Sequence, residues 1–169
     1  MKAILLIAAC LALMVSAAAQ QATTPKAAQT PTTAHASQSP KAVLQAYISA
    51  WNRHDLAAFD ALLAPDGIHE DIPAGFRGTG PAQVKDFVRD IFKSQPDLVW
   101  KITSIIESGS IVAAEWTWTS TYTGDGPSGP VVAQRISSRG ASIAVVENGR
   151  IKRFTDYYDT LTSFAKTTN

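Results

Sequence analysis

Three segments of helical periodicity stand before four long runs of two-residue alternation, and that order leaves few folds open. Ser39 followed by Pro40 reads as an N-cap and first helical residue, with Val43, Leu44, Tyr47, Ile48 and Trp51 recurring at helical spacing to about Arg53. Asp55 is a second N-cap, and Leu56, Phe59, Leu62 and Leu63 form the stripe of a short helix that stops at Pro65-Asp66-Gly67. A short extended piece over 68–72 closes at Pro73, and a glycine-containing loop leads to Gly80. Pro81 then opens a third helix with Val84, Phe87, Val88, Ile91 and Phe92 inward. Strands follow over 98–107, 111–123, 131–146 and 150–158, with turn signals at Gly109, at 124–130 and at Asn148-Gly149. Helices first and strands afterwards predict an α+β domain, its helices on one face of a curved antiparallel meander.

Alternation assigns the faces of that sheet. Val112, Ala114, Trp116, Trp118 and Tyr122 share one face of their strand, and Glu115, Thr117, Thr119 and Thr121 share the other. The tryptophan face is expected to look at the helices. Arg135 and Arg139 are expected opposite Glu115 across the ladder.

The domain occupies 39–169. All fourteen acids and every aromatic residue fall there, with thirteen of the fifteen Lys and Arg, so its formal charge is −1. No basic stripe of the kind that neutralises phosphates is present, which excludes nucleic acid as an expected partner. Ahead of it, residues 20–38 carry Gln, Thr, Ala, Pro and Ser with almost no aliphatic bulk and read as a disordered linker. Residues 1–19 combine Lys2, an apolar run over 3–15 and the small residues Ala17-Ala18-Ala19. These are the parts of a secretory signal peptide cleaved near Ala19. The run is shorter than the roughly 18 residues that suggest a membrane span, so the expectation is an exported protein with no membrane helix. The one cysteine, Cys10, lies inside that leader, and cleavage leaves no thiol for disulfides, nucleophilic catalysis or metal binding.

Seven short segments carry a resemblance: Trp51-Asn52-Arg53-His54-Asp55, Ala64-Pro65-Asp66-Gly67, His69-Glu70-Asp71-Ile72-Pro73, Pro96-Asp97-Leu98, Glu115-Trp116-Thr117, Gly149-Arg150-Ile151 and Thr155-Asp156-Tyr157-Tyr158-Asp159. In order and spacing these resemble the nuclear transport factor 2-like superfold, and within it the SnoaL-like polyketide cyclases with their relatives ketosteroid isomerase and limonene epoxide hydrolase. The resemblance implies a cone of three N-terminal helices on a strongly curved, mostly antiparallel sheet, enclosing one deep pocket, in a homodimer formed through the outer sheet face.

Candidate chemistry follows residue by residue. Asp71 matches the place of the isomerase's proton-moving carboxylate, and Tyr47 that of its oxyanion tyrosine; together they are the minimum for forming and holding an enolate. The alternative is that Asp71 caps the Pro73 loop and Tyr47 is a core aromatic. No acid between 131 and 146 supplies the isomerase's second oxyanion donor, and Ser142 is the nearest polar residue. Asp156 matches the strand where the hydrolase keeps its water-activating aspartate and where SnoaL-like cyclases keep an acid. Alternation sets it on the face of Phe154 and Tyr158, where apolar surroundings would raise its pKa. The hydrolase's charged partners correspond to Trp116 and Trp118, which would line an apolar pocket or fill the core. His69 shares the strand face of Asp71 and offers a titrating partner. Three scattered histidines make no metal set, and no cofactor is called for.

The expectation is an exported enzyme moving a proton on an apolar carbonyl compound, of isomerase or cyclase type. Asp71, Asp156, Tyr47 and His69 would act on an apolar small molecule, and Trp116, Trp118, Phe154 and Tyr158 would bind it. Two alternatives stay open: a non-catalytic ligand-binding or dimerisation module, and hydrolysis of an epoxide or lactone by water activated at Asp156.

Overall fold

In a computed structural model of the protein, residues 38–126 and 128–163 are described, the side chains of Leu161 and Thr162 excepted. The signal peptide expected over 1–19 and, Gln38 apart, the linker expected over 20–38 lie outside the described residues.

Helix α1 spans Pro40–Asn52, and Ser39 caps it by accepting from Ala42 N. Its buried stripe is the expected one: Val43, Leu44, Tyr47, Ile48 and Trp51. Asn52 pins its end to the sheet, donating from Nδ2 to Trp100 O and accepting from Trp100 N, both at 2.7 Å. His54 then takes a left-handed φ of 54° and stacks on Phe92. Asp55 caps a 3-10 turn over Leu56–Ala58 by accepting from Ala58 N, and the single-turn helix α2 follows over Phe59–Leu62.

The sheet strands are β1 (Leu63–Asp71), β2 (Phe76–Thr79), β3 (Val99–Ser108), β4 (Ile111–Gly126), β5 (Gly129–Glu147) and β6 (Arg150–Tyr158). Helix α3 (Gly80–Ser94) lies between β2 and β3, and α4 (Thr160–Ser163) follows β6. The order across the sheet is β2-β1-β6-β5-β4-β3. Every neighbouring pair is antiparallel except β1 with β6. The expected α+β architecture is therefore present: three helices packed on a curled, mostly antiparallel sheet.

Two expectations about the first strands change. The loop from Pro73 to Gly80 contains β2, and β1 begins at Leu63, five residues ahead of the extended piece read from the sequence. Pro65-Asp66-Gly67 is a turn signal that here occupies an irregularity between the Leu63–Ile151 and Ile68–Arg153 pairs. Gly67 is needed there, because a Cβ would lie 2.7 Å from Ile151 O. Arg135 and Arg139 do not face Glu115 either: they stand opposite Thr121 and Thr117, and Arg135 pairs with Asp97 at 2.9 Å.

The alternation in β4 holds. Val112, Ala114 and Trp116 are buried with the stripe of α1, Phe59, Leu63, Val84, Val88, Ile151 and Phe154, while Glu115 is exposed. Along β5 the inward residues are Ser142, Gly140, Ser138 and Ile136. Three small residues in succession leave space above the middle of the sheet.

Candidate functional site

That space is a cavity of about 550 Å³ between the helices and the inner face of the sheet. Its wall divides into an acid half and a tryptophan half.

In the acid half, register sets two carboxyl groups side by side. Asp71 at the end of β1 pairs in parallel with Asp156 on β6, and Asp156 pairs with Ser142 on β5. Asp71 Oδ1 accepts from Ala74 N at 3.0 Å, so it does cap the turn after β1, while Oδ2 accepts from Tyr158 Oη at 3.1 Å. Asp156 Oδ1 accepts from Ser142 Oγ, which accepts in turn from Trp116 Nε1 at 2.7 Å. Gly140 makes this chain feasible. Its missing side chain is where Trp116 lies, since a Cβ there would stand 2.4 Å from Trp116 Cζ2.

His69 completes the acid half. It is almost fully buried, its Nδ1 shares a hydrogen bond of 2.8 Å with Tyr47 Oη, and its Nε2 lies 3.9 Å from Asp156 Oδ2 with no hydrogen-bond partner. Which ring nitrogen carries the proton decides whether Nε2 meets Asp156 as a donor or as an acceptor.

Burial dominates the electrostatics. It pushes Asp156 well above the usual carboxylate range, against the Ser142 hydrogen bond and with help from the negative charge of Asp71. Asp71 is also raised by burial, against its bonds from Ala74 and Tyr158. Burial lowers His69 to about 3, so its ring is neutral at ordinary pH. Burial likewise raises the Tyr47 and Tyr158 hydroxyls, which stay protonated. Two carboxyl groups that hold protons more tightly than free acids, beside a neutral imidazole, can deliver a proton to a bound molecule and remove one from it.

The tryptophan half is built by packing. All four tryptophans of the chain line the cavity. Trp100 stands at its centre, with ring centroids 5.4 Å from each of Trp51, Trp116 and Trp118, tilted or edge-on. Trp118 Nε1 donates to Gln95 Oε1 at 2.7 Å. Among the described residues no group of three or more His, Cys, Asp or Glu side chains is placed to hold a metal ion.

Of the residues read from the sequence, His69, Asp71, Asp156, Trp116, Trp118 and Tyr158 line the cavity. Tyr47 and Phe154 do not: both are fully buried behind the wall and tilted against each other and against His69. Tyr47 therefore meets the cavity only through His69. Trp51, Trp100 and Gln95 are wall residues that sequence reasoning passed over. Trp100 alternates with Leu98 and Ile102 and Trp51 ends the apolar stripe of α1, so both carried an inward signal; Gln95 carried none.

A curled sheet closed by three helices is a ketosteroid isomerase-like fold. It is shared with a protein of that fold from Catenulispora acidiphila solved in complex with trimethylamine (21% identity, 72% of this chain and 88% of that one, TM-score 0.62). Within that class the model of the SnoaL-like polyketide cyclases matches residues 41–166, and the chain belongs to this family. A proposed polyketide cyclase from Xanthomonas campestris pv. campestris is similar at 26% identity, over 77% of this chain and 97% of that one, with a TM-score of 0.64. A SnoaL-like polyketide cyclase from Agrobacterium tumefaciens is similar at 18% identity, over 74% and 94%, with a TM-score of 0.64. No curated protein matches the chain in sequence.

Proposed function

We propose that this protein moves a proton on an apolar carbonyl compound, in an isomerisation or ring-closing reaction that uses only its own side chains. The observation that carries this reading is the in-register pair Asp71 and Asp156, two carboxyl groups raised by burial on the wall of a cavity that all four tryptophans also line. In its ionised form one carboxylate takes a proton from the carbon beside the substrate carbonyl. The other, still protonated, donates to the carbonyl oxygen, so that an enol forms in place of an exposed enolate. Return of a proton to a different carbon, or attack of the enol carbon on a second carbonyl, completes isomerisation or cyclisation with protons balanced. His69, held by Tyr47, faces the second oxygen of Asp156. Trp116, Trp118 and Tyr158 form the substrate wall, and Phe154 supports it from behind.

The test is exchange of the α-protons of 2-tetralone in D2O, followed by NMR. The parent protein should accelerate exchange. Asp156→Asn and Asp71→Asn should each lower the rate by about 10²–10⁴-fold with binding retained. Parent-like exchange in both variants would overturn the assignment, and binding without exchange in the parent would favour a ligand-binding module.

The leader-like residues 1–19 support export, which recovery of an extracytoplasmic form beginning near residue 20 would test. The exposed row of Ile106 and Ile143 on the outer sheet face, with Tyr157 beside it, supports a homodimer, which light scattering would test. Among the described residues no helix is long and apolar enough to cross a membrane.

A further inference from the structure

In the tryptophan half of the cavity, Gln95 holds a hydrogen-bonding NH2 group that the protein does not use. An indole N–H can only donate, so the Gln95 atom 2.7 Å from Trp118 Nε1 must be the carbonyl oxygen. Ser120 Oγ donates to the same oxygen at 2.6 Å. With Oε1 held twice, the carboxamide cannot turn over, and its NH2 group has no acceptor among the described residues. Trp51 Nε1, by contrast, is directed at the buried Tyr47 hydroxyl, and Trp100 Nε1 and Ser138 Oγ, though unpaired, present no surface to the cavity. Gln95 is half-buried and lines the cavity, so a ligand could supply the acceptor that its NH2 group lacks.

Gln95 stands apart from Asp71 and Asp156. Trp118 pairs with Ser138 and Asp156 pairs with Ser142, four residues further along β5, which separates the two rows by about 13 Å. A single carbonyl group cannot serve both. Charge narrows the chemistry further: the lining contains Asp71, Asp90, Asp125 and Asp156 and neither Lys nor Arg. A neutral oxygen suits such a wall, and a carboxylate or phosphate does not.

We infer that Gln95 is a specificity residue whose locked amide NH2 group receives a neutral acceptor oxygen at the end of the substrate remote from Asp156. The substrate class is therefore an elongated apolar molecule with oxygen functions at both ends: a carbonyl at the carboxyl pair, and a carbonyl, ether or hydroxyl oxygen at Gln95. This rests on the proton-transfer reading for the first end only.

The experiment compares two probes of nearly equal size, 6-methoxy-2-tetralone and 6-ethyl-2-tetralone, which differ by an oxygen at the far end from the ketone. Their affinities are read from quenching of the tryptophan fluorescence. The parent protein should bind the methoxy compound about five- to tenfold more tightly. Gln95→Glu still accepts from Trp118 and Ser120 but presents an oxygen where the NH2 stood. It should erase that preference with little change in affinity for the ethyl compound, and Gln95→Leu, which also frees Trp118, should erase it as a second variant. Asp156→Asn should keep the preference. Equal affinities in the parent, a preference that survives Gln95→Glu, or one lost in Asp156→Asn instead would each overturn the inference. A preference that follows Gln95 in a protein that exchanges no α-protons would uphold it and strike the proton-transfer reading alone. Failure of the parent to bind either tetralone would overturn both.

Discussion

The acid half of the cavity and its tryptophan half are held in place by different forces. Asp71 has both carboxyl oxygens in hydrogen bonds from Ala74 N and Tyr158 Oη, and Asp156 receives Ser142, itself held by Trp116. Across the cavity, Trp100 keeps a buried N–H group without an acceptor while its ring packs edge to face on Trp51. Ionisable groups in a low dielectric need a partner for each lone pair or they shift and neutralise. Indoles bury so much apolar area that packing alone holds them. One half is thus positioned by directional bonds set by strand register, and the other chiefly by volume.

Removing volume should break the second half most severely. Trp100→Ala empties the centre of the indole cluster and should cost about 3–5 kcal/mol in urea denaturation. The titration of Asp156, followed by carboxyl 13C NMR, should still lie above the usual carboxylate range; a fall to that range would show that the halves are not separately held.

The next effect belongs to pH. His69 is lowered to about 3, below its unfolded value of 6.5, so its contribution to stability is present above pH 6.5 and lost as the pH falls towards 3. The slope should reach about 1.4 kcal/mol per pH unit, and His69→Gln should flatten it. Asp156 runs the other way: being raised, it favours the folded state only near and below its unfolded value of 3.8, and that contribution is lost as the pH climbs through its folded pKa. Asp156→Asn should therefore be more stable than the parent at pH 7 by about 1–3 kcal/mol, with the gap closing near pH 4. Thermal melts at both values would check the sign.

The smallest change sharpens the line between the halves, because Trp116 belongs to both. Trp116→Phe keeps most of the ring volume but removes the N–H that supports Ser142, at a cost of about 1 kcal/mol. Asp156 should then titrate higher still, since its Ser142 bond favours the ionised form. An unchanged midpoint would show that Ser142 needs no help from the indole.

Much of the fold was legible because short-range periodicity records it. The stripe of α1, the Asp55 cap and the alternation through Val112, Ala114 and Trp116 each follow from spacing alone. What spacing cannot record is which strands become neighbours. The parallel contact of β1 with β6 is a long-range choice, and β1 begins across Pro65-Asp66-Gly67, whose local chemistry signals a turn. The site shows the same limit. Alternation put His69 with Asp71 and Phe154 with Asp156, yet it could not show that Tyr47 would reach His69 in place of the cavity. Nor could it bring Gln95, after the last turn of α3, to the tip of Trp118 from a distant segment.

The last strand of the chain is an inner strand of the sheet: β6 lies between β1 and β5. During synthesis from the N-terminus, β1 with β2, and β3 to β5 as a meander, can form as two separate pieces, each with an open edge, until β6 slots between them. Asp156 arrives with that closing strand and meets Asp71 only then. The acid pair therefore cannot assemble before β6 is in place, so on the proposed function activity would report that the sheet has closed, and a nascent chain still lacking β6 would be inert however much of its core had already condensed.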